Sequence, residues 1–123
     1  MGIVESTKSY LEAFDGNATW DSIKPLFDEV MHPALQVVTA EGILTRGEWE
    51  QAVRGMLARG MKASEIEIRA DEDGTIFYQL VVTMSDGTKL QPASKATTKG
   101  GKIIHIEPVD PAIYSDLKKL ASS

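Results

Sequence analysis

Apolar residues in the first half of the chain recur at the three- and four-residue spacing of amphipathic helices. The stripe from Ile3 to Asp15 predicts a first helix. A second stripe follows Thr19, which is its expected N-cap. Pro25 lies within that stripe, so the second helix should either kink there or begin near Lys24 after a short 3₁₀ turn.

The chain then predicts one strand and a third helix. The β-branched run from Leu35 to Ala40 is typical of a short strand. The sequence from Thr45 to Glu48 forms a capping box, in which a hydroxyl and a carboxylate each accept from the other residue's backbone N–H. We expect the helix that it opens to end at Gly60.

Beyond Gly60 the hydrophobic period changes to two, which predicts strands with one solvated face. Glycine-containing turns separate them, and Asp73-Gly74 is typical of a hairpin. The predicted antiparallel meander has four strands: 65–70, 75–85, 88–98 and 102–109. In the last strand we expect Ile104, Ile106 and Pro108 to face inward.

A terminal helix should follow from Pro111 to Leu120, capped by Asp110, with Ile113, Leu117 and Leu120 on its apolar side. A long curved meander must bury one face, and the preceding helices are the material available. We therefore predict one α+β domain over residues 1–123: a cone-shaped roll, with a curved, mainly antiparallel sheet wrapped by three N-terminal helices and a short C-terminal helix.

Composition narrows the function classes. The 123 residues carry a net charge of −5 without a basic cluster, which argues against nucleic acid and anionic membranes as partners. The absence of cysteine excludes disulfides, thiolate metal sites and thiol nucleophiles. No apolar run could span a bilayer, and the N-terminus lacks the pattern of a secretory signal. These features favour a cytoplasmic protein.

Several strings resemble the cone-fold superfamily of nuclear transport factor 2, SnoaL-like polyketide cyclases and ketosteroid isomerase. The segment from Tyr10 to Asp15 resembles the first helix of that group, and the segment from Trp20 to Phe27 its second. Thr45 to Glu48 is similar to the opening of its third helix, and Gly101 to Asp110 to its last strand. The resemblance covers nearly the whole chain and implies the cone fold.

The resemblance also implies candidate catalytic residues. In ketosteroid isomerase the tyrosine that matches Tyr10 donates to a developing oxyanion, which suggests Tyr10 with Glu41 as an acid–base pair. Glu41 is offset from the family's base, and the later strand has no acid between Pro92 and Ala96. Steroid-type isomerisation is therefore not expected. His105 and Glu107 should face away from the pocket, which also argues against cyclase chemistry.

Metal and cofactor chemistry is not expected. The only histidines are His32 and His105, and they lack the spacing of a transition-metal site. Either could act as a general base if it reached the cavity, but a surface or interface position is the simpler interpretation. No nucleotide-binding or nucleophile motif is present, so no cofactor is predicted.

A cone often leaves space that its helices do not fill. The residues expected to line that space are mostly apolar: Tyr10, Phe14, Trp20, Leu35, Trp49, Val53, Met56, Tyr78 and Ile106. Three functions follow: a protein that binds a small apolar ligand, a lyase, isomerase or cyclase, and a dimeric interaction module without ligand. A homodimer is expected to form through the outer sheet face, where Phe77 and Val81 would be exposed.

Overall fold

The computed structural model describes residues 2–122, so Met1 and Ser123, the ends of the predicted domain, lie outside it. The helices are α1 (Ile3–Glu12), α2 (Trp20–Val30), α3 (Arg46–Ala58) and α4 (Ala112–Ser122). The strands are β1 (Met31–Thr39), β2 (Gly42–Thr45), β3 (Lys62–Ala70), β4 (Thr75–Thr83), β5 (Lys89–Leu90), β6 (Ala93–Lys99) and β7 (Lys102–Pro108). None of these helices is long and apolar enough to cross a membrane.

The strands form one sheet in the order β2-β1-β7-β6-β4-β3, with the short β5 paired to β4. The predicted meander is present as β3, β4, β6 and β7, which pair antiparallel with their neighbours. Strand β1 adds to its edge in parallel with β7, and β2 folds back on β1. The predicted α+β class with a mainly antiparallel sheet is thus confirmed, and the pairing of β1 with β7 is parallel.

The predicted capping box at α3 forms, and the predicted N-cap Thr19 is part of a second capping box at α2. Thr19 and Ser22 exchange backbone-to-side-chain hydrogen bonds at the start of α2, and Thr45 and Glu48 do the same at α3. The helix α2 begins at Trp20 and continues through Pro25, so of the two alternatives the late start near Lys24 is wrong. Pro25 removes one helical hydrogen bond near an exposed first turn, where water can replace it.

Two strand predictions need correction. A register shift where β6 pairs with β7 leaves Ile103 and Ile106 buried, so Ile103 replaces Ile104 on the inner face. A bulge inserts one extra residue and breaks the period of two that the prediction assumed. The predicted strand 88–98 is two strands, because the chain leaves the ladder at Gln91 and Pro92 and proline has no N–H to donate.

The first strand also begins earlier than predicted. It starts at Met31 directly after α2 and includes His32-Pro33, whereas the predicted strand begins at Leu35. A register shift between Met31 and Gln36 in the pairing with β7 accommodates this segment. Pro33 is exposed and lies within the shift, where the regular ladder does not require its missing N–H.

The terminal helix α4 packs against α3 and β1. Pro111 O and Ser115 Oγ both accept from the backbone N–H of Ala40, at 3.0 and 3.2 Å. Gly55 of α3 allows a close approach, since a Cβ there would lie 2.6 Å from the carbonyl oxygen of Ala121. The helix buries Leu117 as expected, with Tyr114 beside it, while Ile113 and Leu120 are only partly buried.

Candidate functional site: an apolar cavity inside the cone

A small cavity lies between the concave face of the sheet and helices α1, α3 and α4. Its volume is about 50 Å³, far below the roughly 300–1,000 Å³ of pockets that hold drug-sized ligands. Its exposed wall is almost entirely apolar. The lining residues are Tyr10, Leu11, Phe14, Met31, Trp49, Val53, Met56, Met61, Tyr78, Leu80, Val82, Pro92, Ile106, Tyr114 and Leu117.

Most of the residues predicted to line a cavity do so. The predicted residues in the lining are Tyr10, Phe14, Trp49, Val53, Met56, Tyr78 and Ile106. Trp20 and Leu35 do not line it. Leu35 is buried in the core, with 2% of its surface exposed. Trp20 is only partly buried and packs edge-on against Phe27 at 5.4 Å.

The position of Trp20 follows from its place at the first residue of α2. Its ring is covered from outside by the guanidinium of Arg54, whose Cζ lies 5.5 Å from the ring centre. Phe27, which is fully buried, lies on its inner side. The helical stripe that suggested an inward position is real, but Phe27 occupies the inner part of it.

Tyr10 points into the cone, as predicted, with 4% of its surface exposed. Its ring packs edge-on against Phe14 at 5.2 Å and Phe27 at 6.2 Å. The backbone carbonyl of Phe14 accepts from Ala63 N at 2.9 Å, which joins the end of this segment to β3. Burial, with a smaller contribution from nearby Tyr78, raises the pKa of Tyr10 far above its ordinary value.

The hydroxyl of Tyr10 has no hydrogen-bond partner among the residues that the structure describes. A buried phenol ordinarily finds such a partner. Because the raised pKa keeps it protonated at neutral pH, this hydroxyl is a donor without a protein acceptor.

Three other hydroxyls form a chain beside the cavity. The Tyr114 hydroxyl lies 2.8 Å from that of Tyr78 and 2.6 Å from Ser94 Oγ. Tyr78 and Ser94 are cross-strand partners on β4 and β6, and Tyr114 reaches them from α4. Three hydroxyls joined by two hydrogen bonds retain one spare proton. When the chain runs from Ser94 through Tyr114, that proton is on Tyr78 at the cavity wall.

The tyrosines of this chain are also un-ionised at neutral pH. Burial is the main cause that raises the pKa of both Tyr78 and Tyr114. Hydrogen bonds from Tyr114 and Ser94 act in the opposite direction on Tyr78, but burial outweighs them. The chain therefore consists of neutral hydroxyls that both donate and accept.

Tyr114 and Ser94 were not among the predicted site residues. Ser94 lies two residues from Ala96 on β6 and is fully buried with it, so the period of two could have indicated its inward position. Tyr114 lies three residues before Leu117, which places both on one face of α4. The prediction placed Ile113, the residue before Tyr114, on that apolar face instead.

Trp49 contributes a second donor without a partner. It lies in the first turn of α3, with 6% of its surface exposed, and its ring packs edge-on against Tyr114 at 5.2 Å. Its indole N–H is buried and has no hydrogen-bond partner among residues 2–122. An indole N–H only donates, so an acceptor is what it lacks.

The structure does not bring Glu41 to the cavity. Its side chain is 66% exposed in the turn between β1 and β2, where it lies 3.8 Å from Lys119 Nζ. The pairing of Tyr10 with Glu41 is therefore wrong as an acid–base constellation. His32 and His105 do not line the cavity either, and His32 Nδ1 accepts from Ala34 N at 2.9 Å.

The described lining residues include no carboxylate, imidazole, amine or guanidinium. The cavity can therefore hold an apolar molecule, and the polar groups among its lining residues are neutral phenols and an indole. Its walls hold no group that would accept a proton at neutral pH, since the tyrosines remain protonated.

Comparison with solved structures gives close agreement of fold at low sequence identity. A candidate polyketide cyclase from Pseudomonas putida KT2440 superposes with a TM-score of 0.67 at 13% identity, covering 93% of this chain and 97% of that one. A candidate SnoaL-like polyketide cyclase from Jannaschia sp. CCS1 gives 0.64 at 13% identity, over 98% and 92% of the two chains. A de novo designed NTF2-fold protein gives 0.65 at 17% identity, over 98% and 94%.

No known protein-family model matches the sequence, and no curated protein matches it either. The similar structures include both candidate enzymes and a designed protein, so their likeness shows the architecture alone. The chain has the cone fold of nuclear transport factor 2-like and SnoaL-like proteins.

Proposed function

We propose that the protein binds a small, largely apolar molecule in the cone cavity. The observation that carries this proposal is an apolar cavity lined by residues of α1, α3, α4 and the sheet. A void of this kind forfeits packing energy, because its lining loses contacts that a filled core would make. A bound apolar molecule restores those contacts.

The wall can adapt to molecules larger than the present volume. Met31, Met56 and Met61 all line the cavity. Methionine is unbranched and repacks readily, which makes it suited to irregular or changing contacts. We therefore expect the cavity to expand around a ligand by movement of these three side chains rather than of the sheet.

Acid–base catalysis lacks support in this cavity. The enzyme alternative required an acid within reach of the Tyr10 hydroxyl, and the lining contains none among the described residues. The candidate enzymes with this fold are about 13% identical to the chain. That similarity supports a shared architecture and does not support a shared reaction. Binding without chemical conversion is the function that these walls favour.

The test uses methionine methyl groups labelled with ¹³C, read by NMR during titration with cyclopentane, cyclohexane and decalin. Met31, Met56 and Met61 should shift saturably, whereas Met84, which is buried outside the lining, should not. Val53→Leu adds a methylene to the wall and should weaken binding of the larger probes. Equal shifts at Met84 and the lining methionines, or no saturation with any probe, would overturn the proposal.

A further inference from the structure

Two donors at the cavity have no protein acceptor, and they come from different helices. Tyr10 on α1 and Trp49 on α3 both line the cavity. The Trp49 Nε1 atom is buried without a partner among residues 2–122, and the Tyr10 hydroxyl makes no hydrogen bond with a described residue. A buried polar group without a hydrogen bond costs roughly 1–3 kcal/mol. Proteins satisfy nearly all such groups, so the buried indole N–H of Trp49 beside this cavity indicates an acceptor that the described part of the chain does not supply.

The acceptor must come from an uncharged molecule. The described lining has no lysine, arginine or histidine to compensate an anion, and no carboxylate to compensate a cation. Burying an isolated charge in such surroundings is far more costly than burying a neutral polar group. A neutral oxygen satisfies the donors without that cost.

Resting on the function proposed above, we propose that the cavity selects uncharged molecules carrying a carbonyl-type oxygen, and that the indole N–H of Trp49 donates to that oxygen. Trp49 is a specificity-determining residue in this arrangement, since indole can donate but cannot accept. The Tyr10 hydroxyl is a second donor in the cavity lining.

The experiment compares cyclopentanone with cyclopentane, which are similar in size and differ in the oxygen. The protein is labelled with ¹⁵N, and the two indole N–H resonances of Trp49 and Trp20 are followed during titration. Cyclopentanone should shift the Trp49 proton downfield, while Trp20, outside the cavity, serves as the internal reference. Cyclopentane should leave the Trp49 proton close to its starting position.

Affinity ratios separate the hydrogen bond from packing. Trp49→Phe changes the cavity volume for both probes, so the informative quantity is the ketone-to-hydrocarbon affinity ratio. That ratio should fall roughly threefold to tenfold in Trp49→Phe, as expected for loss of one neutral hydrogen bond, and stay unchanged in Trp20→Phe. Cyclopentanecarboxylate should bind at least tenfold more weakly than the ketone, because the cavity offers no counter-charge.

The outcomes distinguish this inference from the proposed function. If both neutral probes bind, but the Trp49 proton does not move or the ratio is unchanged in Trp49→Phe, the indole inference is wrong and apolar binding stands. If the carboxylate binds as tightly as the ketone, selection for neutral molecules is wrong. If neither neutral probe shifts the lining methionines, the proposed function fails and this inference fails with it. The measurement on the unmodified protein decides the indole contact even if Trp49→Phe does not fold.

Discussion

Two tyrosines line the same cavity from opposite ends of the chain, and their hydroxyls differ in their hydrogen-bond partners. Tyr114 on α4 lies within hydrogen-bond distance of both Tyr78 and Ser94. Tyr10 on α1 is as deeply buried, yet its hydroxyl has no partner among the described residues. The first arrangement fastens a helix to the sheet, and the second leaves a donor available for something else.

A buried tyrosine can therefore contribute to stability or to binding, depending on whether its hydroxyl has a hydrogen-bond partner within the protein. A hydroxyl with two protein partners stabilises the fold, since its loss leaves two other hydroxyls unsatisfied. A hydroxyl without a protein partner contributes little to the free energy of folding, but it can contribute to the free energy of binding. Substitutions on the two sides of the cavity should therefore affect different measurements.

The largest expected effect comes from deleting residues after Val109, which removes the Tyr114 side of the cavity entirely. Tyr114 and Leu117 are 2% and 3% exposed, and burying a large apolar side chain contributes about 1.5–3 kcal/mol. At about 3–6 °C per kcal/mol for a domain of this size, the melting temperature should fall by at least about 10 °C. A truncated protein that melts with the full chain would show that α4 contributes nothing to the fold.

A single substitution tests the packing of α4 against α3 without removing any group that makes a contact. Gly55→Ala places a Cβ 2.6 Å from the carbonyl oxygen of Ala121, so α4 must shift away from α3. The strain should outweigh the gain in helix propensity and destabilise the protein by about 1–2 kcal/mol in urea unfolding.

The matched control for that change is Gly47→Ala, in the same helix, where a Cβ would meet no atom within 4 Å. It should stabilise the protein by up to about 1 kcal/mol through helix propensity. Equal effects of the two substitutions would mean that the approach of α4 to Gly55 is not close in solution.

The direct comparison of the two hydroxyls uses Tyr114→Phe and Tyr10→Phe. Removing the Tyr114 hydroxyl leaves Tyr78 and Ser94 without their shared partner, which should cost about 1–3 kcal/mol in the free energy of unfolding. Removing the Tyr10 hydroxyl breaks no hydrogen bond with a described residue and should change stability by less than about 0.5 kcal/mol. A loss of similar size in both variants would contradict the distinction drawn between them.

The contribution of the buried Tyr10 phenol to the free energy of unfolding should depend on pH in the alkaline range. Its pKa is raised by burial in the folded protein, so the unfolded chain releases this proton first, near the ordinary value of about 10. Stability from Tyr10 is therefore complete below about pH 10 and is lost as the pH rises further, by up to about 1.4 kcal/mol per pH unit.

Urea unfolding at pH 8, 10 and 11 measures this contribution as the difference between the unmodified protein and Tyr10→Phe. The difference should shift in favour of Tyr10→Phe as the pH rises. Parallel loss of stability in the two proteins would show that Tyr10 is not kept protonated in the fold.

Substitutions on the outer face of the sheet should have the smallest effect on the stability of the domain, because this face is partly exposed whereas the cavity lining is buried. Phe77 and Val81 are partly exposed there, and Phe77 pairs across the strands with Lys95 and lies beneath Arg69. Dimerisation through this face stays a prediction. Phe77→Glu should keep the fold, because Arg69 and Lys95 can pair with the new carboxylate. It should abolish the dimer, as measured by sedimentation velocity.

Val109→Glu is the control for association, since Val109 is 71% exposed and lies beyond the end of β7. It should leave the sedimentation coefficient unchanged. If the unmodified chain sediments as a monomer at micromolar concentration, the sheet-face dimer is wrong, and the domain acts alone.

Local patterns in the sequence predicted most of the elements and most of the inward-facing residues. Periods of 3.6 and 2 are local properties, so they predicted the helices, the meander and the burial of Tyr10 and Phe14. The capping box at Thr45 located the start of α3, because its hydrogen bonds involve residues only three positions apart.

Long-range packing, in contrast, determines which of these residues line the same cavity and which polar atoms lack partners. Trp20 and Phe27 occupy one helical stripe, and packing between helices determined that Phe27 lies inside. The contact of Tyr114 with Ser94 joins residues 20 positions apart, and the register that places Ser94 opposite Tyr78 is set by pairing of distant strands. Hydrogen-bond partners depend on such long-range geometry, so the unpartnered indole N–H of Trp49 could not be predicted from local patterns.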